Sequence, residues 1–244
     1  MLSQEAKALF AKLELPYSAI AVKYCFHEPT EYEKTDEILS FCQFAKMAQD
    51  TGKTFYTSKD NDNCMGKMIL GMVPKDGKMT CGGMGYNLGV FNTPAANARL
   101  YDLAPTLTPG AHNYVVFSPV EDCDFDPDII IAVADIEKAD ILMRATSYIS
   151  GDLWESKSSN VMSCVWTYAY TFISGKVNHC ITGMHHGMIR RKVYPAGLCI
   201  ISIPFQKIDE VVKALGTMDW ELIAMKEDEE SKAELERRMS TIHV

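Results

Sequence analysis

The chain lacks any long run of lysine and arginine: Arg190-Arg191-Lys192 is its one compact basic cluster, and the formal net charge is −8. Binding to nucleic acid or to an anionic membrane surface draws on clustered positive charge, so neither partner is expected. The chain also lacks an apolar run long enough to span a bilayer, and Met1 to Glu5 shows no basic segment followed by an apolar core. The expected setting is the cytoplasm. No linker breaks the 244 residues, so one cooperative domain over 1–244 is expected. No Ser/His/Asp set or pair of carboxylates stands out, which leaves hydrolytic chemistry without support. The Cys-x-x-Cys knuckle from which zinc ribbons draw their ligands is missing too.

What the chain does have is 8 cysteines and 14 methionines. In a reducing compartment the cysteines remain thiols, so each is either a small core residue or a metal ligand. Two stretches share one frame. Cys42 opens an apolar run closed by Gly52-Lys53, and Cys64 then begins Cys-x-x-x-Met-x-x-Gly-Met. Cys164 opens a second run closed by Gly175-Lys176, and Cys180 begins the same pattern. The spacing from Cys164 to Gly175 is one residue longer than that from Cys42 to Gly52. The match predicts an internal repeat, with halves at about 38–72 and 160–188, that brings Cys42, Cys64, Cys164 and Cys180 together at a pseudo-twofold axis.

Periodicity predicts helices over 3–13, 38–50, 95–104, 136–149, 165–173, 208–215 and 226–238. Strands are predicted around 19–26, 54–57, 114–118, 129–134 and 198–204, the apolar ones covered on both faces. The fold class is therefore α+β, a pseudo-twofold domain of two related halves, with a mixed sheet and covering helices. Cys42 falls early in its helix, where backbone amides and the macrodipole favour a thiolate, and Cys64 and Cys180 are expected near the starts of further helices. Cys81-Gly82-Gly83-Met84-Gly85 lies in a glycine-rich loop that lacks the strand and helix context of a phosphate site.

Four dispersed thiolates suit a [4Fe-4S] cluster better than a zinc ribbon, while zinc and packed thiols stay open as alternatives. Cys81 or a histidine is an alternative ligand. His179, His185 and His186 could supply nitrogen near Cys180, and Arg190 and Arg191 could balance a cluster or hold a carboxylate or phosphate. The reading is a cluster protein in electron transfer or redox chemistry on a small anaerobic metabolite, with a redox partner protein or small-molecule ligand. A non-catalytic accessory protein that delivers or senses zinc or a soft metal is the other reading, and a homo-oligomer is compatible with both. Whether the chain is an enzyme is left open.

Cys42 with Ala45, Gly52-Lys53-x-Phe55-Tyr56-Thr57, Cys64 and Leu70-Gly71 resemble the core pattern of the uncharacterised DUF169 family of prokaryotic proteins. Pro119-Val120-Glu121, Pro127-Asp128 and the isoleucines after it, Cys164, Cys180 and Ile203-Pro204 are similar to its remaining blocks. The chain departs from that pattern after Cys180, where Arg190 comes later than the family's arginine. The resemblance implies the cysteine assignment and a prokaryotic cytoplasmic setting, and no activity.

Overall fold

The computed structural model describes residues 1–242. In chain order the elements are α1 Gln4–Lys12, β1 Tyr17–Cys25, α2 Phe41–Thr51 and β2 Phe55–Ser58; then the short helices α3 Gly66–Ile69, α4 Gly77–Thr80 and α5 Gly83–Asn87, followed by α6 Pro94–Leu103. Next come β3 Tyr114–Pro119, β4 Ile129–Ala134, α7 Ile136–Ser147, a π turn Val165–Ala169 running into α8 Tyr170–Ser174, and β5 Asn178–Ile181. The chain continues through α9 His186–Arg190, β6 Cys199–Pro204, α10 Ile208–Thr217 and α11 Glu229–Ser240. Local signals explain most starts and stops. Ser3 caps α1 by accepting from the Ala6 amide at 3.0 Å, and Gly52 ends α2 in the left-handed region at φ 65.

The architecture is α+β. Six strands form one sheet in the order β2-β3-β1-β4-β6-β5, and every strand pair is antiparallel. The mixed sheet expected from the sequence is thus corrected: every neighbouring pair runs antiparallel, although β3-β1, β1-β4 and β4-β6 are not consecutive in the chain. Exchanging β1, β2 and β3 for β4, β5 and β6 turns the strand order into its own reverse.

Apolar residues on both sides of the central strands force the sheet to be covered twice. One face packs Ala21, Val116, Ile130 and Ile201 under α1, α7 and α10. The other packs Val22, Phe117, Ile131 and Ile200 under α2 and the π turn. Both edges are blunted by irregular chain. Glu33 and Thr35 trade backbone hydrogen bonds with Tyr56 beside β2, and Asn178 of β5 bonds the backbone of Lys157 in both directions. No helix among the described residues is long and apolar enough to cross a membrane.

Candidate functional site

A cavity of about 160 Å³ opens on the α2 side of the sheet, and three of the predicted cysteines line it: Cys42, Cys64 and Cys164. Cys42 is the second residue of α2, whose start is fixed by a capping box between Ser40 and Gln43. The Ser40 hydroxyl lies 3.1 Å from the Cys42 sulfur. Cys164 sits at the corresponding start of the second helix, directly before the π turn. That turn absorbs the extra residue between Cys164 and its glycine cap, and Gly175 closes the helix at φ 65, as Gly52 closes α2. A π turn leaves carbonyls without their usual partners, and here Asn178 donates to the Trp166 carbonyl at 2.9 Å. Tyr168, carried on the same turn, donates to the Phe41 carbonyl at 3.0 Å and so ties the two cysteine-bearing helix starts together.

Cys64 is held by Asp62. This carboxylate is only 2% exposed, and it accepts from the Cys64 amide at 3.0 Å and the Lys67 amide at 2.5 Å. Burial pushes its pKa up, and the two amides pull it back. Gly66 is required beside it, because a Cβ there would meet the Phe41 ring at 2.2 Å.

Cys180 is elsewhere. It lies within β5, opposite Ile200, and its sulfur faces the Lys157 carbonyl at 3.8 Å and Asn178. Burial pushes this thiol up to about 11. The expectation that Cys180 stands near a helix start is corrected, and the reason is register. Counted from the two glycine caps, β2 and β5 begin at the same offset, so Cys180 corresponds in count to Thr57 and not to Cys64. Counted within the short helices that follow, Met68 of α3 matches Met188 of α9, both third in their helix and both buried. The sequence frame had paired Met68 with Met184, four residues earlier; Met184 is 62% exposed.

The other candidates divide similarly. Arg190 and Arg191 line the cavity, as does His186, whose Nε2 is buried without a hydrogen-bond partner among the described residues. His185 does not line it; buried behind the wall, it meets the Ser158 hydroxyl at 3.1 Å, and burial lowers its pKa. His179 is on β5, and Cys81 is exposed with its thiol on the Lys78 carbonyl at 3.2 Å. Cys25, Cys123 and Cys199 join the core on the α1 side. Sequence reading missed Asp62, Asn97, Tyr101 and Met162. Asn97 lines the cavity with its Oδ1 unpartnered, and the Tyr101 hydroxyl donates to the Met65 sulfur at 3.5 Å. Met162 takes φ 57, uncommon for a residue with a side chain, immediately before the second helix.

The electrostatics of the three thiols are shared. Burial raises Cys164 well above the ordinary thiol range, and the neighbouring Cys64, Asp62 and Cys42 raise it further. Cys42 is raised chiefly by burial and then by Cys64, while the Ser40 hydroxyl and Arg191 oppose this. Burial thus outweighs the helix-start effect expected from the sequence. Burial therefore favours the neutral thiol at Cys42 and at Cys164. Among the described residues no three His, Cys, Asp or Glu side chains are close enough to grip a single metal ion.

The family profile described as DUF169, uncharacterised ArCR, matches residues 8–214. An uncharacterised protein of Methanocaldococcus jannaschii is 23% identical over 217 residues, covering 87% of this chain and 92% of its own length. No solved structure matches.

Proposed function

The chain belongs to the DUF169 family, and from the geometry of its cavity we propose that it is a cytoplasmic metalloprotein holding an iron–sulfur cluster through Cys42, Cys64 and Cys164. The observation that carries this reading is the convergence of three thiols from separate segments, Cys164 buried and Cys42 and Cys64 partly so, on one cavity that no carboxylate lines. The residues fit such a group. The thiols supply soft anionic ligands, Arg191 offsets negative charge beside Cys42, and unpartnered polar atoms of His186 and Asn97 stand in the same wall. Cys42, Cys64 and Cys164 would hold the cluster, which would supply one-electron chemistry or a Lewis-acidic iron. The chain's own part is to exclude bulk water with Met65, Met84, Leu88 and Tyr101, to fix the ligand spacing through Asp62 and Tyr168, and to keep positive charge at the opening.

Protein purified without oxygen is expected to be brown and to carry about four irons and four sulfides per chain. Colourless protein with no iron would sink this reading. A second reading draws support from three thioethers, Met65, Met84 and Met162, in the same wall, a donor set that suits a soft ion in a delivery or sensing protein. Copper or zinc in place of iron and sulfide, retained through those methionines as well as the cysteines, is the outcome that favours it.

A further inference from the structure

We propose that the same cavity binds a small organic monocarboxylate, with its acid group on Arg190 and Arg191 and its short apolar body against Met84, Leu88 and Met162. The chain is acidic overall, yet two guanidiniums and no carboxylate line this cavity. Among the described residues neither arginine is in an ion pair; of the other four, Arg144, Arg237 and Arg238 are paired and Arg99 is not. Arg191 is half-buried, and its one hydrogen bond to the protein goes to the Gly187 carbonyl at 3.2 Å, which leaves most of its donor fork unused. Arg190 next to it is exposed, at the opening. The nearest buried acid, Asp62, is engaged by two backbone amides. A half-buried guanidinium short of partners is costly, and a planar carboxylate matches its fork in two parallel hydrogen bonds.

The rest of the wall sets the class of molecule. Met84, Leu88, Tyr101, Val161 and Met162 are apolar or nearly so, and they suit a hydrocarbon body better than a sugar or a nucleotide. In the metal-free chain the cavity volume of about 160 Å³ limits that body to a few carbons, since a void of about 150 Å³ accommodates benzene. Guanidiniums also take phosphate, so inorganic phosphate is the comparison that separates the two anions.

The inference rests on the cluster reading only for what else the cavity holds; butyrate binding belongs to the metal-free chain. The experiment follows methyl-¹³C methionine resonances in the metal-free protein, with butyrate as probe and butanol and inorganic phosphate as comparisons. Butyrate is expected to shift the Met84 and Met162 signals saturably, with affinity that falls as salt rises. Arg191→Gln is expected to weaken it at least about tenfold and Arg191→Lys less, reflecting the loss of a bidentate charged contact. Arg190→Gln removes an exposed side chain, so it is expected to weaken binding without disturbing the fold. Equal shifts with butanol, phosphate binding in place of butyrate, or unchanged affinity in both glutamine variants would overturn the proposal. Butyrate binding in a protein that never takes up iron leaves this inference standing and removes the cluster; iron uptake without butyrate binding does the reverse.

Discussion

Cys42 is carried on an uninterrupted helix from Ser40 to Gly52, whereas Cys164 reaches the same cavity through a π turn that takes up one more residue before Gly175. The helix ends agree to within a few degrees, φ 65 and ψ 19 against φ 65 and ψ 16, so the adjustment is confined to the middle. After the caps the halves diverge. Residues 59–65 give the first half room for Asp62 and Cys64 before α3, while the shorter 182–185 leads from β5 directly to α9. The first half therefore supplies two thiols to the cavity and the second supplies one, together with His186 and, just beyond it, Arg190 and Arg191. Two similar strings need not deliver equivalent atoms; loop length decides which position of a repeat faces a site.

The largest expected effect separates the cysteines. Serine at Cys42, Cys64 or Cys164 is expected to abolish most iron retention, read by iron and sulfide analysis of anaerobic protein. Next comes the π turn. Deleting Ala169 rotates Cys164 and Tyr168 by about 100° relative to α8, and iron is expected to be lost while circular dichroism still reports a folded chain; full iron retention would show that the turn has no part in placing the ligand. The matching deletion in α2, at Met47, is expected to displace Cys42 in the same way.

A pH effect lies outside the site and sharpens the contrast with it. His112 is 3% exposed, its Nε2 has no hydrogen-bond partner among the described residues, and burial lowers its pKa to about 4. The unfolded chain binds this proton near pH 6.5. Stability from keeping His112 neutral is therefore complete above about 6.5 and lost as pH falls toward about 4, by at most about 3 kcal/mol. Urea titrations of His112→Leu are expected to lose that dependence, whereas Cys180→Ser is expected to keep it.

Asp62→Asn is expected to cost about 1–3 kcal/mol, since an NH2 replaces one of the two accepting oxygens and leaves one of the Cys64 and Lys67 amides without its acceptor, and to lower iron content in proportion to the loosening of Cys64. The smallest effect compares the caps. Alanine at Gly52 pays the left-handed penalty of about 1–2 kcal/mol with nothing within 4 Å of its Cβ. Alanine at Gly175 meets only the mobile tip of Gln206 at 2.4 Å, so its cost in urea unfolding is expected to be nearly equal.

Much of the fold was legible because periodicity and caps act locally. Ser3, Gly52, and the apolar runs at Tyr114 and Ile129 mark their elements without help from the rest of the chain. Strand β5 was missed: its Asn178-His179-Cys180-Ile181 is short and half polar, and it becomes a strand because β6 and the segment around Lys157 pair with it. The site was legible in its cysteines and arginines, which chemistry singles out by type. Cys180 went astray because matching strings cannot register a loop that differs by several residues. Asp62 and Met162 carried no signal, since a buried acid and a left-handed methionine look like any loop residue until their backbone partners are in place.

The three-cysteine site is tested most directly by iron and sulfide counted side by side in the unaltered chain, Cys164→Ser and Cys180→Ser, all folded and purified without oxygen. The expected result is about four of each per chain in the first and third and close to none in the second. Loss of iron from Cys180→Ser equal to that from Cys164→Ser, or its absence from the unaltered chain, would contradict the account.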